Sequence, residues 1–260
     1  MPDKCRLCDA DLRFVTTQRV LGKYDVRYFQ CSRCDLLQTE APHWLDEAYQ
    51  HAISQLDTGA IARNRQDAQV TAVIARVLGI RGPCLDTGAG HGVFVRMMRD
   101  LGYDFRWSDR YAQNLYARGF EDTPDRHHAL VTAFEVLEHF ADVRTELEQM
   151  FASEPDHVFV GTLLHQGHRD GWWYYLLDSG QHIAFYSPRT LGWIADHVGY
   201  TVIHGPAYAL FSRRALSLVQ RALLRRLLAH PYVATLVPRP VVQRASLIES
   251  DHAALRDRLD

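Results

Sequence analysis

The chain lacks the marks of an exported or membrane-spanning protein. No basic start leading into an apolar stretch opens it, and no run of eighteen apolar residues occurs in its 260 positions. The first absence argues against an oxidising destination and so against a disulfide framework; the second argues against a transmembrane helix. A cytoplasmic location is the expectation. Net charge is also small, -2, so the chain as a whole offers nothing to attract a polyanion, and nucleic acid is not expected as a partner. Internal repeats and low-complexity tracts are absent. What remains is an ordinary globular composition, 47% hydrophobic and 23% charged, long enough for one large domain with a small appendage.

Cysteine is scarce, five residues in all, yet four of them stand as two Cys-x-x-Cys pairs, Cys5 with Cys8 and Cys31 with Cys34. Each pair converges two sulfurs, and two such knuckles close a tetrahedron around Zn²⁺. A closed tetrahedron leaves no position for substrate, so the expected zinc is structural, lending folding free energy to a segment too short for a core of its own. A redox Cys-x-x-Cys would be single and lie near a βαβ pattern. Here the pairs flank two strand-like stretches, Leu12 to Val20 and Tyr24 to Phe29, in the manner of a zinc ribbon hairpin. Iron at the same thiolates stays open as an alternative.

Beyond Pro42 the pattern alternates. Trp44 to Tyr49 and Ile61 to Leu78 read as helices, the latter from Val70, Val73, Ile74, Val77 and Leu78 at three and four spacing. Cys84 onward reads as strand, glycine turn and helix over Val93 to Leu101. Strands follow at Phe105 to Ser108, His128 to Val136 and His157 to Leu163, with helices at Tyr111 to Arg118 and Arg144 to Phe151. This alternation predicts an α/β fold, a Rossmann-like doubly wound and mostly parallel sheet. Leu216 to His230 predicts a basic amphipathic helix, and the spacing of Ser246 and Glu249 predicts a capping box opening a last helix. The expected organisation is a zinc-ribbon segment over 1–42, an α/β domain over 43–210 and a helical tail over 211–260.

The segment Leu85-Asp86-Thr87-Gly88-Ala89-Gly90-His91-Gly92 sets three glycines at alternate positions between a strand and a helix, where a backbone turns tightly and meets a ligand without a Cβ in the way. Asp109 ends the next strand, the place where such folds hold ribose hydroxyls. A dinucleotide site spaces its glycines to seat a pyrophosphate. Here a carboxylate at Asp86 begins the loop instead, which suits a cationic, phosphate-free ligand such as S-adenosylmethionine. On these residues the chain resembles the class I S-adenosylmethionine-dependent methyltransferases, in particular those with an N-terminal zinc-ribbon segment that modify sugars, polysaccharides or small molecules. The resemblance covers about residues 5 to 205. It implies a cofactor site of Asp86, Thr87, Gly88, Ala89, Gly90, Gly92 and Asp109, with Phe134 and Glu135 beside them.

The stretch Glu135-Val136-Leu137-Glu138-His139 resembles the same family. In quinone-biosynthesis relatives the corresponding Glu, Glu and His hold a divalent ion, which would map onto Glu135, Glu138 and His139; pairing at a helix start accounts for these residues as well. Methyl transfer to a hydroxyl needs a proton acceptor, and an imidazole suits that at neutral pH. His139 and His182 are the expected bases among fourteen histidines, with Tyr186 assisting. Trp172, Trp173, Tyr174 and Tyr175 read equally as an acceptor wall or as the core of a lid. The expected function is methyl transfer from S-adenosylmethionine to a carbohydrate or small-molecule hydroxyl, with structural Zn²⁺ and the zinc segment beside the acceptor mouth. Carbon or nitrogen methylation, and a binding module with a degenerate cofactor-sensing domain, are the alternatives. Oligomer formation and peripheral membrane contact through the Leu216 to His230 helix stay open.

Overall fold

The computed structural model describes residues 4–49, 57–123 and 126–258. Strands β1 (Leu12–Val20) and β2 (Tyr24–Cys31) pair antiparallel as the expected hairpin, and β3 (Leu37–Thr39) adds to β2. Two helices follow, the one-turn α1 (Leu45–Ala48) and α2 (Ala60–Leu78), the latter ended by Gly79 in the left-handed region. The body then runs β4 (Cys84–Thr87), α3 (Val93–Asp100), β5 (Phe105–Ser108), β6 (Leu130–Phe134), α4 (Val143–Phe151) and β7 (His157–Gly161). It continues through β8 (Ala184–Phe185), α5 (Pro188–Val198), β9 (Thr201–His204), β10 (Tyr208–Ser212), α6 (Leu218–Ala229), α7 (Arg239–Val242) and α8 (Ile248–Arg256).

Six strands form the central sheet in the order β5-β4-β6-β7-β10-β9. The first four are parallel, and β10 lies antiparallel between β7 and β9. Strand order reverses at β4, whose parallel neighbours β5 and β6 come later in sequence on opposite sides. In such sheets the ligand crevice opens at the carboxyl ends of the strands around that switch. One face of the sheet packs against α2, α3 and α6 through Val70, Ile74, Phe94, Met98, Leu224 and Leu228. The other face packs against α4 and α5, and the same core continues into the four cysteines and Leu36. The thiol segment thus shares a core with the body, and β8, from far along the chain, completes its sheet by pairing with β3.

Two expectations need correction. Tyr111 to Arg118 is not helical. There the Asp109 carboxylate takes the amides of Tyr111 and Ala112, the carbonyl of His91 takes those of Leu115 and Tyr116, and Asn114 takes that of Ala117. These bonds offer the backbone a substitute for the helical ladder. The capping box of Ser246 and Glu249 does not form either: Leu247 is the N-cap of α8, and the Ser246 hydroxyl accepts from the Ile248 amide at 3.3 Å. Capping boxes stand instead at Ser187 with Thr190 and at Ser217 with Gln220. The tail helix α6 buries Leu224, Leu227 and Leu228 and leaves Leu218, Val219 and Leu223 exposed. Among the described residues no helix is long and apolar enough to cross a membrane.

Candidate active site

A cavity of about 1470 Å³ opens at the carboxyl ends of β4 and β6, roomier than the few hundred to about 1,000 Å³ usual for one small ligand. The glycine loop forms one wall. Gly88 has φ +65°, and a Cβ there would lie 2.5 Å from Val136, so only glycine fits between the loop and the segment after β6. Gly90, at φ +52°, has nothing within 4 Å of the same point and leaves its backbone bare to the cavity. Its amide donates to Asp109 Oδ2 at 2.9 Å, and its carbonyl accepts from Trp107 Nε1 at 2.8 Å. Asp109 therefore fixes the loop and itself lines the cavity.

Six of the nine residues expected to hold a cofactor line this cavity: Thr87, Gly88, Gly90, Asp109, Phe134 and Glu135. Asp86, Ala89 and Gly92 stand behind its wall. Asp86 is buried against the Thr132 hydroxyl, which donates to it at 2.6 Å, and burial pushes its carboxyl up to about 8. Ala89 is tied by its amide to the Ser108 carbonyl, and Gly92 is the N-cap of α3. Glu135 sits in the left-handed region at φ +54°, and burial, with the Glu138 carboxylate adding to it, pushes its carboxyl up to about 8.

Four further cavity residues were not foreseen. Asp67 of α2 accepts from the Tyr208 hydroxyl at 2.7 Å, and burial raises it to about 6. Arg63, one turn earlier, pairs with Asp57 at 2.7 Å. The signal available for Asp67 was a carboxylate on the same helical stripe as Val70, Thr71 and Ile74. A buried stripe seldom carries a charge without a purpose.

Farther along the cavity the two expected histidines meet. His139 ends the 3₁₀ turn Leu137–His139, and its ring lies 5.0 Å from that of His182, at 90°. His182 Nδ1 is 2.8 Å from the Tyr174 carbonyl, and His139 Nδ1 is 2.8 Å from the Tyr49 hydroxyl. Burial lowers both imidazoles, His139 to about 4, so both are neutral at pH 7. Tyr186 requires correction as an assistant: it is wholly buried outside the cavity wall, and its hydroxyl is spent on the Leu137 carbonyl at 2.9 Å. The aromatic run divides. All four rings reach the cavity, but Tyr174 and Tyr175 are buried in the core beneath β2 and β8, whereas Trp173 is 69% exposed. Gln18 of β1 and Leu45 of α1 bring the N-terminal segment into the same wall.

The four expected thiols do converge. One sulfur from each of Cys5, Cys8, Cys31 and Cys34 lies within 4.8 Å of the others, with Cys5 to Cys34 at 3.6 Å and Cys8 to Cys31 at 3.4 Å. A Zn–S bond of about 2.3 Å sets tetrahedral sulfurs about 3.8 Å apart, so the set fits zinc. Backbone amides of Leu7, Arg33 and Cys34 already point at the sulfurs of Cys5 and Cys31, as amides do around a metal-bound thiolate.

A family model described as a methyltransferase domain matches residues 43–205. No curated protein matches the sequence. Solved structures with similar folds include the Burkholderia thailandensis 1,6-didemethyltoxoflavin-N1-methyltransferase with 1,6-didemethyltoxoflavin and S-adenosylhomocysteine bound. It is 14% identical, with a TM-score of 0.47, over 78% of this chain and 100% of that one. A Thermotoga maritima S-adenosylmethionine-dependent methyltransferase, described as a possible histamine N-methyltransferase, is 12% identical, with a TM-score of 0.43, over 66% and 98%. An O-methyltransferase family protein from Burkholderia thailandensis is 15% identical, with a TM-score of 0.39, over 67% and 68%.

Proposed function

The chain belongs to the methyltransferase-domain family that its residues 43–205 match, and from that premise we propose that it moves a methyl group from S-adenosylmethionine to a hydroxyl of a carbohydrate or small molecule. The observation that carries this reading is that the Gly88–Gly90 loop with Asp109 and the His139–His182 pair open into one cavity large enough for two ligands. Asp109 would hold the ribose hydroxyls, and the bare backbone at Gly90 would lie along the cofactor. Asp67 and Glu135, which line the cavity, suit a ligand with an ammonium and a sulfonium, since each buried carboxyl loses its proton more readily beside a cation.

The reaction is an in-line displacement. A lone pair of the acceptor oxygen forms the new bond to the methyl carbon, and the carbon–sulfur bond gives its electron pair to sulfur, leaving S-adenosylhomocysteine. The hydroxyl proton must be lost. His139 and His182 are the proposed activating groups, both neutral and both facing the cavity. Alignment and exclusion of water supply most of the remaining acceleration. Asp109 has the two ends of its carboxylate on the loop and on the following turn, so its replacement should unmake the ribose site. Asp109→Ala is expected to weaken S-adenosylhomocysteine binding at least about tenfold by calorimetry, roughly the worth of a charge-assisted hydrogen bond. Absence of any binding heat with the unaltered protein would overturn the cofactor assignment. Incubation with labelled methyl donor and sugar or phenolic extracts then tests the acceptor class.

A further inference from the structure

The pair of histidines is part of a larger constellation. Glu138 is fully buried between them and the aromatic layer. One of its oxygens accepts the Tyr174 hydroxyl, while Oε2 is buried with no donor among the described residues. A carboxylate oxygen left this way is costly unless something positive meets it. Among the described residues no arginine or lysine is bonded to it; two imidazoles are its neighbours. The Tyr174 carbonyl can only accept, so the hydrogen of His182 sits on Nδ1 and Nε2 presents a lone pair. One donor atom from each of Glu138, His139 and His182 lies within 4.8 Å of the other two. Glu135 is not a member of this group, so the set differs from the Glu135, Glu138 and His139 that resemblance implied.

We propose that Glu138, His139 and His182 form a second metal site, distinct from the thiol site, that takes a borderline divalent cation such as Zn²⁺, Co²⁺ or Fe²⁺ and presents it to the acceptor. Two imidazole nitrogens and one carboxylate oxygen suit these ions and leave coordination positions open, unlike the closed set of four thiolates. The shell behind the ligands is already assembled: the Tyr174 carbonyl orients His182, the Tyr174 hydroxyl orients Glu138, and the Tyr49 hydroxyl orients His139. His139 and His182 line the cavity, so the open positions face the acceptor.

The proposal rests on the methyl-transfer reading for the identity of the bound oxygen. On that reading the cation coordinates the acceptor hydroxyl and lowers its pKa. With a cation held by Glu138, His139 and His182 the hydroxyl would give up its proton to solvent more readily, and the acceptor oxygen would form its bond to the methyl carbon as the carbon–sulfur bond breaks toward sulfur. The histidines then activate the hydroxyl as ligands.

The test is a cobalt titration of the full chain carrying a single equivalent of zinc, which the four thiolates take first. One further equivalent of Co²⁺ should bind, giving weak visible bands without the intense near-ultraviolet absorption of thiolate ligands. Glu138→Gln and His182→Gln should each lose that equivalent while still binding S-adenosylhomocysteine within about twofold, which also reports that they fold. If the unaltered protein binds no cobalt beyond the thiol site, or if both variants keep the equivalent, the second site does not exist and the histidines act as bases. If cobalt binds as expected but S-adenosylhomocysteine does not, the metal site stands and the methyl-transfer reading falls.

Discussion

Three carboxyls stand at or just behind the wall of the cavity that the glycine loop forms. Burial raises Asp67 to about 6 and both Asp86 and Glu135 to about 8. Between the ordinary carboxylate range and these values the folded chain binds more protons than the unfolded one, so the ligand-free protein loses stability as pH rises toward 8. A bound sulfonium and ammonium would favour the ionised forms. S-adenosylmethionine is therefore expected to bind more tightly as pH rises from 6 to 8 and to release protons at pH 7. Calorimetry in two buffers of different ionisation enthalpy checks this, and a binding heat independent of buffer would refute it. At this scale the sequence was informative wherever backbone demands a particular residue. Gly88 and Gly90 could be read because a tight turn demands glycine, and Asp109 because its place just past β5 brings it to the loop. Asp67 and Arg63 could not, because α2 is distant in sequence from the loop and only packing brings it over the cavity. Tyr186 was misread because its hydroxyl is taken by the carbonyl of Leu137, a contact between residues far apart in sequence that leaves no local pattern.

Among the elements, the terminal helix α8 is held by charge. Arg99 of α3 grips Asp251 with two bonds, at 2.8 and 2.6 Å, both side chains are buried, and Arg96 adds a third bond at 2.7 Å. The Arg99 guanidinium also lies 3.8 Å over the Phe120 ring. Removing one partner of such a pair leaves the other buried and uncompensated, which costs about 3–5 kcal/mol. Asp251→Ala is expected to lower the unfolding free energy by about 3 kcal/mol in urea, and a change under about 1 kcal/mol would show that α8 is not anchored this way. Elements with strong period were legible: α2, α3, β4 and β6 lie where apolar spacing put them, within a residue or two. The two-residue β8 carries no period at all, and the turn at Tyr111 was lost because side-chain acceptors, invisible to periodicity, took its amides.

For the molecule as a whole, the thiol segment and the histidine cluster are joined at residue 183. The Ile183 amide donates to the Glu138 carbonyl at 2.8 Å, and its own carbonyl accepts the Thr39 amide at 3.0 Å and Arg6 Nη2 at 2.5 Å. His182 is thus held from both sides, by the turn that carries His139 and by the segment built on the cysteines. Stripping zinc from the thiols, or Cys31→Ser, is expected to lower Tm by roughly 10 °C, equivalent to about 3 kcal/mol or more for a chain of this length. Methyl turnover should fall further than S-adenosylhomocysteine affinity, because the glycine loop lies on a different strand. Equal losses of turnover and affinity would refute the coupling. The class of fold could be read from alternation of period, whereas the sharing of a sheet between residues 37 and 185 could not, since strand pairing across so many residues leaves no local trace.

That pairing has a consequence for biosynthesis. Gln38 leaves the ribosome 146 residues before its β8 partner Ala184, a delay of about 7–30 s at ordinary elongation rates. Through that interval the nascent hairpin has an uncovered edge and its sulfurs lack their enclosing helices. Early capture of the ion would spare the emerging chain both oxidation and mispairing, and would ready a template on which Ala184 and Phe185 can later dock.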